Sequence, residues 1–286
     1  MSYMLTGEVT GVSKIATGTP AALAASAKGR FSIDPNNAEF DGMGGQIQGK
    51  GGSLGIRIDV DCVGVDAADI ALWWPETPCV QVAAFPDIVA TLDDGTNGAQ
   101  YVLSAGQPAG FKASLGPGPD AQLIYTLGIG FALATPQAAA VDAAVYTTYL
   151  GHSRGDVVVA MPGDEGALSF DLEAAIELEM HDPLNARGAA AKRFPEGLYI
   201  KSFKPQLSVV TSQLFTIAEL MADVYTGNAI TITCTNGTAA ENVTFTIADA
   251  APSGALDSAM ESGTAMGFGQ MWKPKTGNRF GWCAVT

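Results

Sequence analysis

The stretch LSFDLEAAIELEMH, residues 168–181, alternates apolar and polar side chains with a period of two. On an α-helix its apolar side chains would spread around the whole circumference, whereas on a β-strand they form one face. Leu, Glu and Ala intrinsically favour helix, but a regular pattern of burial outweighs such preferences. The stretch therefore predicts a long strand with one buried apolar face and one acidic face.

The same alternation recurs elsewhere in the chain. GIRIDVDCVG (55–64) places large apolar residues on one side and charged residues on the other. AQLIYTLGIGFALA (121–134) has one large apolar face and one face of small residues. AITITCT and NVTFTIA (229–235 and 242–248) flank TNGTAAE and predict a hairpin. YVLSAGQPAGFKASL predicts two strands joined at Gly106–Gly110.

Helical patterns are few and short. PQAAAVDAAVYTTYL (136–150), SQLFTIAELMADVYTG (212–227) and SGALDSAMESG (253–263) are the three candidate helices. The sequence therefore predicts a mainly β fold, a barrel or sandwich of long antiparallel strands with a few short helices. The length allows two β domains, residues 1–140 and 141–286, the second ending in a basic and aromatic C-terminal arm.

Composition restricts the classes of function. Of the 286 residues, 47% are hydrophobic and 15% are charged, and the formal net charge is −14. Such a surface repels free nucleic acid, so a conventional DNA or RNA binder is not expected. The low charge of a long, apolar chain favours an assembly subunit over a compact monomer. No secretory signal and no apolar run long enough to span a membrane is recognised, so we expect neither export nor membrane insertion.

The sequence GHSRG, residues 151–155, matches the G-x-S-x-G pattern of serine hydrolases, with Ser153 as the nucleophile. In those enzymes a helix follows the serine, but here DVVVAMPG predicts a strand. The one histidine downstream, His181, lies on the acidic face of 168–181. We therefore expect Ser153 not to be catalytic and the protein not to be an enzyme. The overlapping RGD tripeptide (154–156) is interpreted as a chance match.

No cofactor or metal site is predicted. The two histidines, His152 and His181, lack partners at metal-ligating spacing. The four cysteines do not occur as C-x-x-C, which argues against a structural zinc site. Cys62 and Cys234 lie in apparent strands and are interpreted as buried free thiols, with disulfides within or between subunits as the alternative.

Taken together, these features resemble the tail tube proteins (major tail proteins) of long-tailed bacteriophages. The resemblance lies in the long amphipathic strands, in GLYIKSFKPQLSVV and in the short intervening helices, and it extends loosely over much of the chain. It implies a β-barrel or sandwich whose copies form rings that stack into a tube for genome delivery. The length implies either an added domain or two tube-like domains in tandem.

The resemblance also implies a location and partners. The protein is expected in the virion tail, assembled in the host cytoplasm, with itself and other tail proteins as partners and no membrane. DNA would pass through the tube without sticking, because an acidic lumen repels a polyanion carrying one charge per roughly 1.7 Å of helix axis. The candidate lumen-lining residues are Asp171, Glu173, Glu177 and Glu179.

The C-terminal stretch GFGQMWKPKTGNRFGWCAVT is basic and aromatic on an acidic chain. Such stretches can bind nucleic acid, but docking onto an acidic neighbouring subunit is the preferred interpretation here. The candidate subunit-contact residues are Phe268, Trp272, Lys273, Lys275, Arg279, Phe280 and Trp282. Three other functions stay open: a capsid decoration or other virion surface β-sandwich protein, a β-sandwich binding module or adhesin, and a serine hydrolase centred on GHSRG.

Overall fold

The computed structural model describes residues 5–16, 19–22, 24–25, 28–34, 38–41, 47–50, 55–75, 85–93, 98–136, 149–161, 166–181, 197–212, 227–259, 267–275 and 279–286. Within these residues every strand pairing is antiparallel, and fourteen strands belong to one sheet. This confirms the predicted fold class.

The strands that precede residue 137 are β1 (Leu5–Ala16), β2 (Thr19–Ala22), β3 (Ala24–Ala25), β4 (Lys28–Asp34), β5 (Ala38–Asp41), β6 (Ile47–Lys50), β7 (Gly55–Cys62), β8 (Gly64–Val65), β9 (Asp87–Asp93), β10 (Gly98–Leu115) and β11 (Leu123–Pro136). The strands that follow residue 148 are β12 (Val157–Ala160), β13 (Ala167–His181), β14 (Gly197–Thr211), β15 (Asn228–Cys234), β16 (Val243–Ala259), β17 (Gly267–Pro274) and β18 (Cys283–Val285).

Six strands of the large sheet pair in a cycle. The path runs from β7 to β4, β1, β9, β10 and β11, and β11 pairs again with β7. From β10 the same sheet continues outward through β13, β14, β17, β16, β15 and β12. As a whole it is folded on itself like a sandwich rather than closed as a single barrel.

Strand β10 joins the two parts because it changes partner along one edge. Residues 98–103 pair with β9, and residues 111–115 pair with β13. The opposite edge pairs with β11 almost throughout. The predicted break at Gly106–Gly110 is therefore wrong: β10 carries a bulge between Pro108 and Gly110, and β11 pairs with it on both sides of the bulge.

Strand β13 has the alternation predicted from 168–181. Phe170, Leu172 and Ala174 are almost fully buried, whereas Glu177 and Glu179 are exposed. Strands β7 and β11 bury their predicted apolar faces in the same way, and β15 and β16 form the predicted hairpin. The end of β13 departs from the pattern, since the Met180 side chain is 37% exposed after a bulge between Glu177 and Leu178.

The helix predictions fare differently. Most of the first two candidates, residues 137–148 and 213–226, lies outside the described residues. The third candidate helix, residues 253–263, is wrong up to residue 259. Residues 253–259 instead extend β16 and pair with β17, with a register shift between Ser253 and Asp257. Pairing along a neighbouring strand here overrides local helix preference.

A short helix that the sequence analysis missed closes one end of the core. Helix α1 (Ala67–Ile70) begins at Asp66, whose carboxylate accepts a hydrogen bond from the Ala68 amide at 2.9 Å. A 3-10 turn over Ala71–Trp73 continues it. The Trp73 indole N–H donates to the carbonyl of Gly128 at 2.9 Å, which anchors this segment on β11.

One hydrophobic core runs through the described part of the chain. Phe111 of β10 lies at its centre, with ring centroids 5.4 Å from Trp74 and 6.0 Å from Phe245. Residues before and after position 140 therefore pack against each other. The division into domains 1–140 and 141–286 is not tested by these contacts and stays a prediction.

The small face of β11 has a packing role. A side chain at Gly130 would collide with Leu178, and the Leu198 methyl group also lies next to this position. Glycine at position 130 therefore lets the ends of β13 and β14 approach the back of β11. This explains why residues 127–132 of β11 are buried on both faces although only one face carries large side chains.

We expect Leu172→Asp to lower the free energy of unfolding by about 4 kcal/mol or more, because the side chain of Leu172 is fully buried and an unpaired carboxylate would replace it. Glu177→Gln, on the exposed face of the same strand, should cost less than about 1 kcal/mol. Urea unfolding measures both changes, and equal unfolding midpoints for the two variants would contradict the assigned faces.

Candidate functional site

The GHSRG sequence lies in a loop, residues 149–156, which we call the motif loop. Ser153 forms an isolated β-bridge with Gln122, just before β11. The Leu123 amide donates to the carbonyl of His152 at 2.9 Å, and the Arg154 amide donates to the carbonyl of Ala121 at 3.1 Å. These bonds tie the motif loop to the start of β11, and the loop then leads into β12.

Ser153 caps the 3-10 turn formed by Arg154–Asp156. Its hydroxyl donates to the Asp156 carboxylate at 2.6 Å, and its backbone amide donates to the same carboxylate oxygen at 2.8 Å. These two bonds lower the pKa of Asp156. The serine proton is therefore directed at a carboxylate in a capping box, not at a histidine that could act as a general base.

Arg154, the first residue of RGD, is turned inward. Its guanidinium donates to the carbonyls of Gly116, Ala167 and Leu168. It thereby satisfies the carbonyls of Ala167 and Leu168 at the start of β13, which lie outside the segment of β13 that pairs with β10. The tripeptide thus forms a structural turn immediately before β12.

A buried carboxylate holds the motif loop against the hairpin loop at residues 235–242. Glu241 is completely buried and accepts hydrogen bonds from the Leu150 amide at 2.9 Å and the Gly151 amide at 2.8 Å. Asn236 Nδ2 donates to Glu241 at 3.0 Å and to the Gly151 carbonyl at 2.7 Å. We call this set of four residues the Glu241 junction.

Glycine is required at position 151 of the junction. Its φ is +70°, and a Cβ there would lie 2.7 Å from the carbonyl oxygen of Val63. The glycine that the motif pattern attributes to a nucleophile elbow therefore serves a close backbone contact. Asn236 belongs to an N-x-T sequon, but its side-chain amide is already committed within the junction.

Two buried titratable residues, His152 and Tyr125, lie near the junction. His152 is only 2% exposed, and neither ring nitrogen has a hydrogen-bond partner among the described residues. Burial lowers the pKa of His152, against the opposing effects of Glu241, Asp156 and the nearby Cys234 backbone. Tyr125 is also buried, and burial raises the pKa of its phenol. The sequence analysis missed Glu241 and Tyr125, and no local pattern distinguishes them.

Cys62, Cys234 and Cys283 are buried free thiols, as predicted for the first two, while Cys79 lies outside the described residues. Burial raises the pKa of Cys62 and of Cys234 to about 12. Thiolates are therefore disfavoured at these positions. In the described part of the chain, no group of three or more His, Cys, Asp or Glu residues could hold a metal ion; the side chain of His181 is not described.

The four candidate lumen-lining residues share the outer face of β13 but differ in their contacts. Asp171 is paired with Lys112 at 3.2 Å, and Glu173 accepts a hydrogen bond from Gln206 at 3.0 Å. Glu177 and Glu179 are exposed toward the end of the strand. Negative charge on this face is therefore least compensated at residues 177 and 179.

A shallow groove of about 340 Å³ crosses the same outer face. Arg57 and Asp59 form an ion pair at 2.7 Å beside Gly128, where a Cβ would lie 3.0 Å from the side chains of both. The opposite side of the groove carries Lys112 and Glu173. Sequence reasoning missed this groove, because it depends on the register of β7, β11, β10 and β13.

The structure separates the candidate subunit-contact residues. Trp272 and Trp282 are buried in the core, and Phe280 stacks on Phe203 with ring centroids 5.2 Å apart. The exposed members are Lys273, Lys275 and Arg279, and Phe268 is half-buried. The segment is not a separate arm, because β17 lies between β14 and β16. Contact with a second subunit stays a prediction.

No known protein family matches the chain, and no curated protein matches it. None of the helices in the described part of the chain is long and apolar enough to cross a membrane.

We expect Ser153→Ala to lower the free energy of unfolding by about 1 kcal/mol, the usual effect of losing an N-cap. Neither the wild type nor the variant should be labelled by a fluorophosphonate probe, because the wild-type hydroxyl is held by Asp156 and the variant has no hydroxyl at this position. Thermal unfolding and mass spectrometry of probe-treated protein measure the two effects. Labelling of Ser153 in the wild type would contradict the capping role.

Proposed function

We propose that the chain is a structural virion protein whose copies assemble into stacked rings, forming a phage tail tube for genome delivery. The observation that carries this proposal is the orientation of β13. Its apolar face is buried in the core from Phe170 to Ile176, and its acidic face is turned outward. Such a surface is suited to line a passage for a polyanion without binding it.

Two of the cations near this face support the same proposal. Arg57 is paired with Asp59, and Lys112 is paired with Asp171. A lysine or arginine engaged with a carboxylate of its own subunit has less charge to offer to a phosphate group. DNA binding gains from counterion release chiefly when unopposed cations meet phosphates, so this face would let DNA slide.

The exposed cations of β17 and of the segment after it provide a complementary surface for assembly. Lys273, Lys275 and Arg279 are exposed on a chain with a formal net charge of −14. A second copy therefore offers abundant acidic surface for these cations. In this proposal charge aids recognition between subunits, and it makes assembly sensitive to salt.

The geometry around Ser153 favours the structural role over a hydrolase. The hydroxyl donates to Asp156 in a capping box, and the adjacent His152 is buried without a hydrogen bond to it. A serine hydrolase needs a serine hydroxyl that is hydrogen-bonded to a basic side chain, which a carboxylate in turn orients. This arrangement does not supply that set of contacts.

Negative-stain electron microscopy of the purified protein over a range of concentrations tests the proposal. We expect rings or stacked rings with a central channel, and we expect their number to fall at high salt because of the charged contacts. Light scattering should report the same dissociation. Trimers or monomers at every concentration would contradict the tube and would favour a capsid decoration or other virion surface protein.

We further expect tubes made from the double variant Glu177→Lys, Glu179→Lys to retain double-stranded DNA that wild-type tubes release. The charge of these two positions would change by four units per subunit, from −2 to +2, and the retention should weaken as salt is raised. Co-sedimentation of fluorescent DNA with the tubes measures it.

The matched control is Asp87→Lys, Asp120→Lys, which makes the same change of charge at exposed positions away from the β13 face. Equal retention by the two double variants would show that net charge, not a lining formed by β13, controls DNA binding. If the tubes assemble but give this result, the assembly proposal stands and the assignment of β13 to the lumen is wrong.

A further inference from the structure

We propose that the Glu241 junction is a pH-sensitive latch, in which protonation of His152 releases the motif loop from β11 and from the hairpin loop 235–242. The proposal concerns the subunit alone and does not depend on the tail-tube function. It assigns a role to the buried histidine of GHSRG that the hydrolase pattern leaves unexplained.

The closed state is held from two sides. On one side, Glu241 accepts the amides of Leu150 and Gly151, and Asn236 donates to the Gly151 carbonyl. On the other side, backbone bonds connect His152 and Arg154 to the start of β11. His152 lies in the chain between these two sets of bonds, so a displacement of its ring would disturb both sets.

The closed state excludes water from His152. Its side chain is 2% exposed, and its two ring nitrogens have no hydrogen-bond partner among the described residues. Charging a histidine in such a place requires it to lose hydration, and the contact with the Cys234 backbone replaces only part of that hydration. Opening the loop restores water to the ring, so the proton is bound more tightly in the open state.

The charged and polar groups around His152 oppose the opening of the motif loop in acid but do not prevent it. The ionised groups that face His152 are Glu241 from the hairpin loop and Asp156 from the 3-10 turn, and the polar backbone of Cys234 from β15 also faces it. All three favour the imidazolium, but burial has the larger effect, and the pKa of His152 in the closed state is lower than its ordinary value of 6.5.

The sign of the pH dependence follows from this difference. A histidine whose pKa is depressed in the closed state leaves the latch fully stable above its open-state pKa. The stability falls as the pH is lowered through that value toward the closed-state pKa. Acid therefore favours the open form, in which the Leu123, Gly151 and Arg154 amides lose their partners.

Amide hydrogen exchange measured by NMR from about pH 7.5 to about pH 5, corrected for intrinsic exchange, tests the latch. In the wild type, protection of Leu123, Gly151 and Arg154 should fall by up to about tenfold for each pH unit below 6.5. Protection of Ile232, in the middle of β15, should change much less, because the opening is local.

The chain supplies a matched control, because it contains two histidines. In His152→Gln the pH dependence of protection should disappear, whereas His181→Gln should retain it. An unchanged dependence in His152→Gln, or its loss in His181→Gln, would overturn the proposal. Should His152→Gln not fold, the wild-type imidazole titration followed by NMR decides: an apparent pKa below 6.5 supports the latch, and a value at or above 6.5 refutes it.

Discussion

The described fold depends on the double pairing of β10 along a single edge. Its first residues extend the sheet toward β9, and its last residues extend it toward β13, while β11 lies along the other edge. A strand can change partner in this way only if the two partners diverge, and the bulge at Pro108 and Gly110 bends β10 near the point of divergence. The cycle of six strands and the outer strands therefore share one core.

Charged and polar groups in this structure serve mainly to join elements that strand pairing leaves apart. Arg154 bonds the carbonyls at the start of β13, and Glu241 bonds amides of the motif loop. A buried carboxylate without partners would be strongly destabilising, so the three hydrogen bonds to Glu241 are what make its position tolerable. The same requirement fixes the conformation of the loop that carries GHSRG.

The sequence predicted those features that depend on alternation within one segment. The buried face of β13, the charged face of β7 and the β15–β16 hairpin could all be inferred, because a period of two is visible locally. The continuation of β10 through Gly106–Gly110 and the strand at residues 253–259 could not, because neighbouring strands decide both. The outward direction of the acidic residues was predicted, but their pairing with Lys112 and Gln206 required the register between strands. The Glu241 junction joins residues about ninety positions apart, and no local pattern contains such a contact.

The place of β17 in the sheet has a consequence for synthesis of the protein on the ribosome. Residues 267–274 lie between β14 and β16, two strands that are synthesised before β17. Until then each of the two has an unpaired edge, and the space that Trp272 fills in the core is vacant. Nascent chains on one polysome would carry such edges side by side, so a fast passage through residues 243–274, or a chaperone that covers the edges, would protect the subunit from pairing with its neighbours too early.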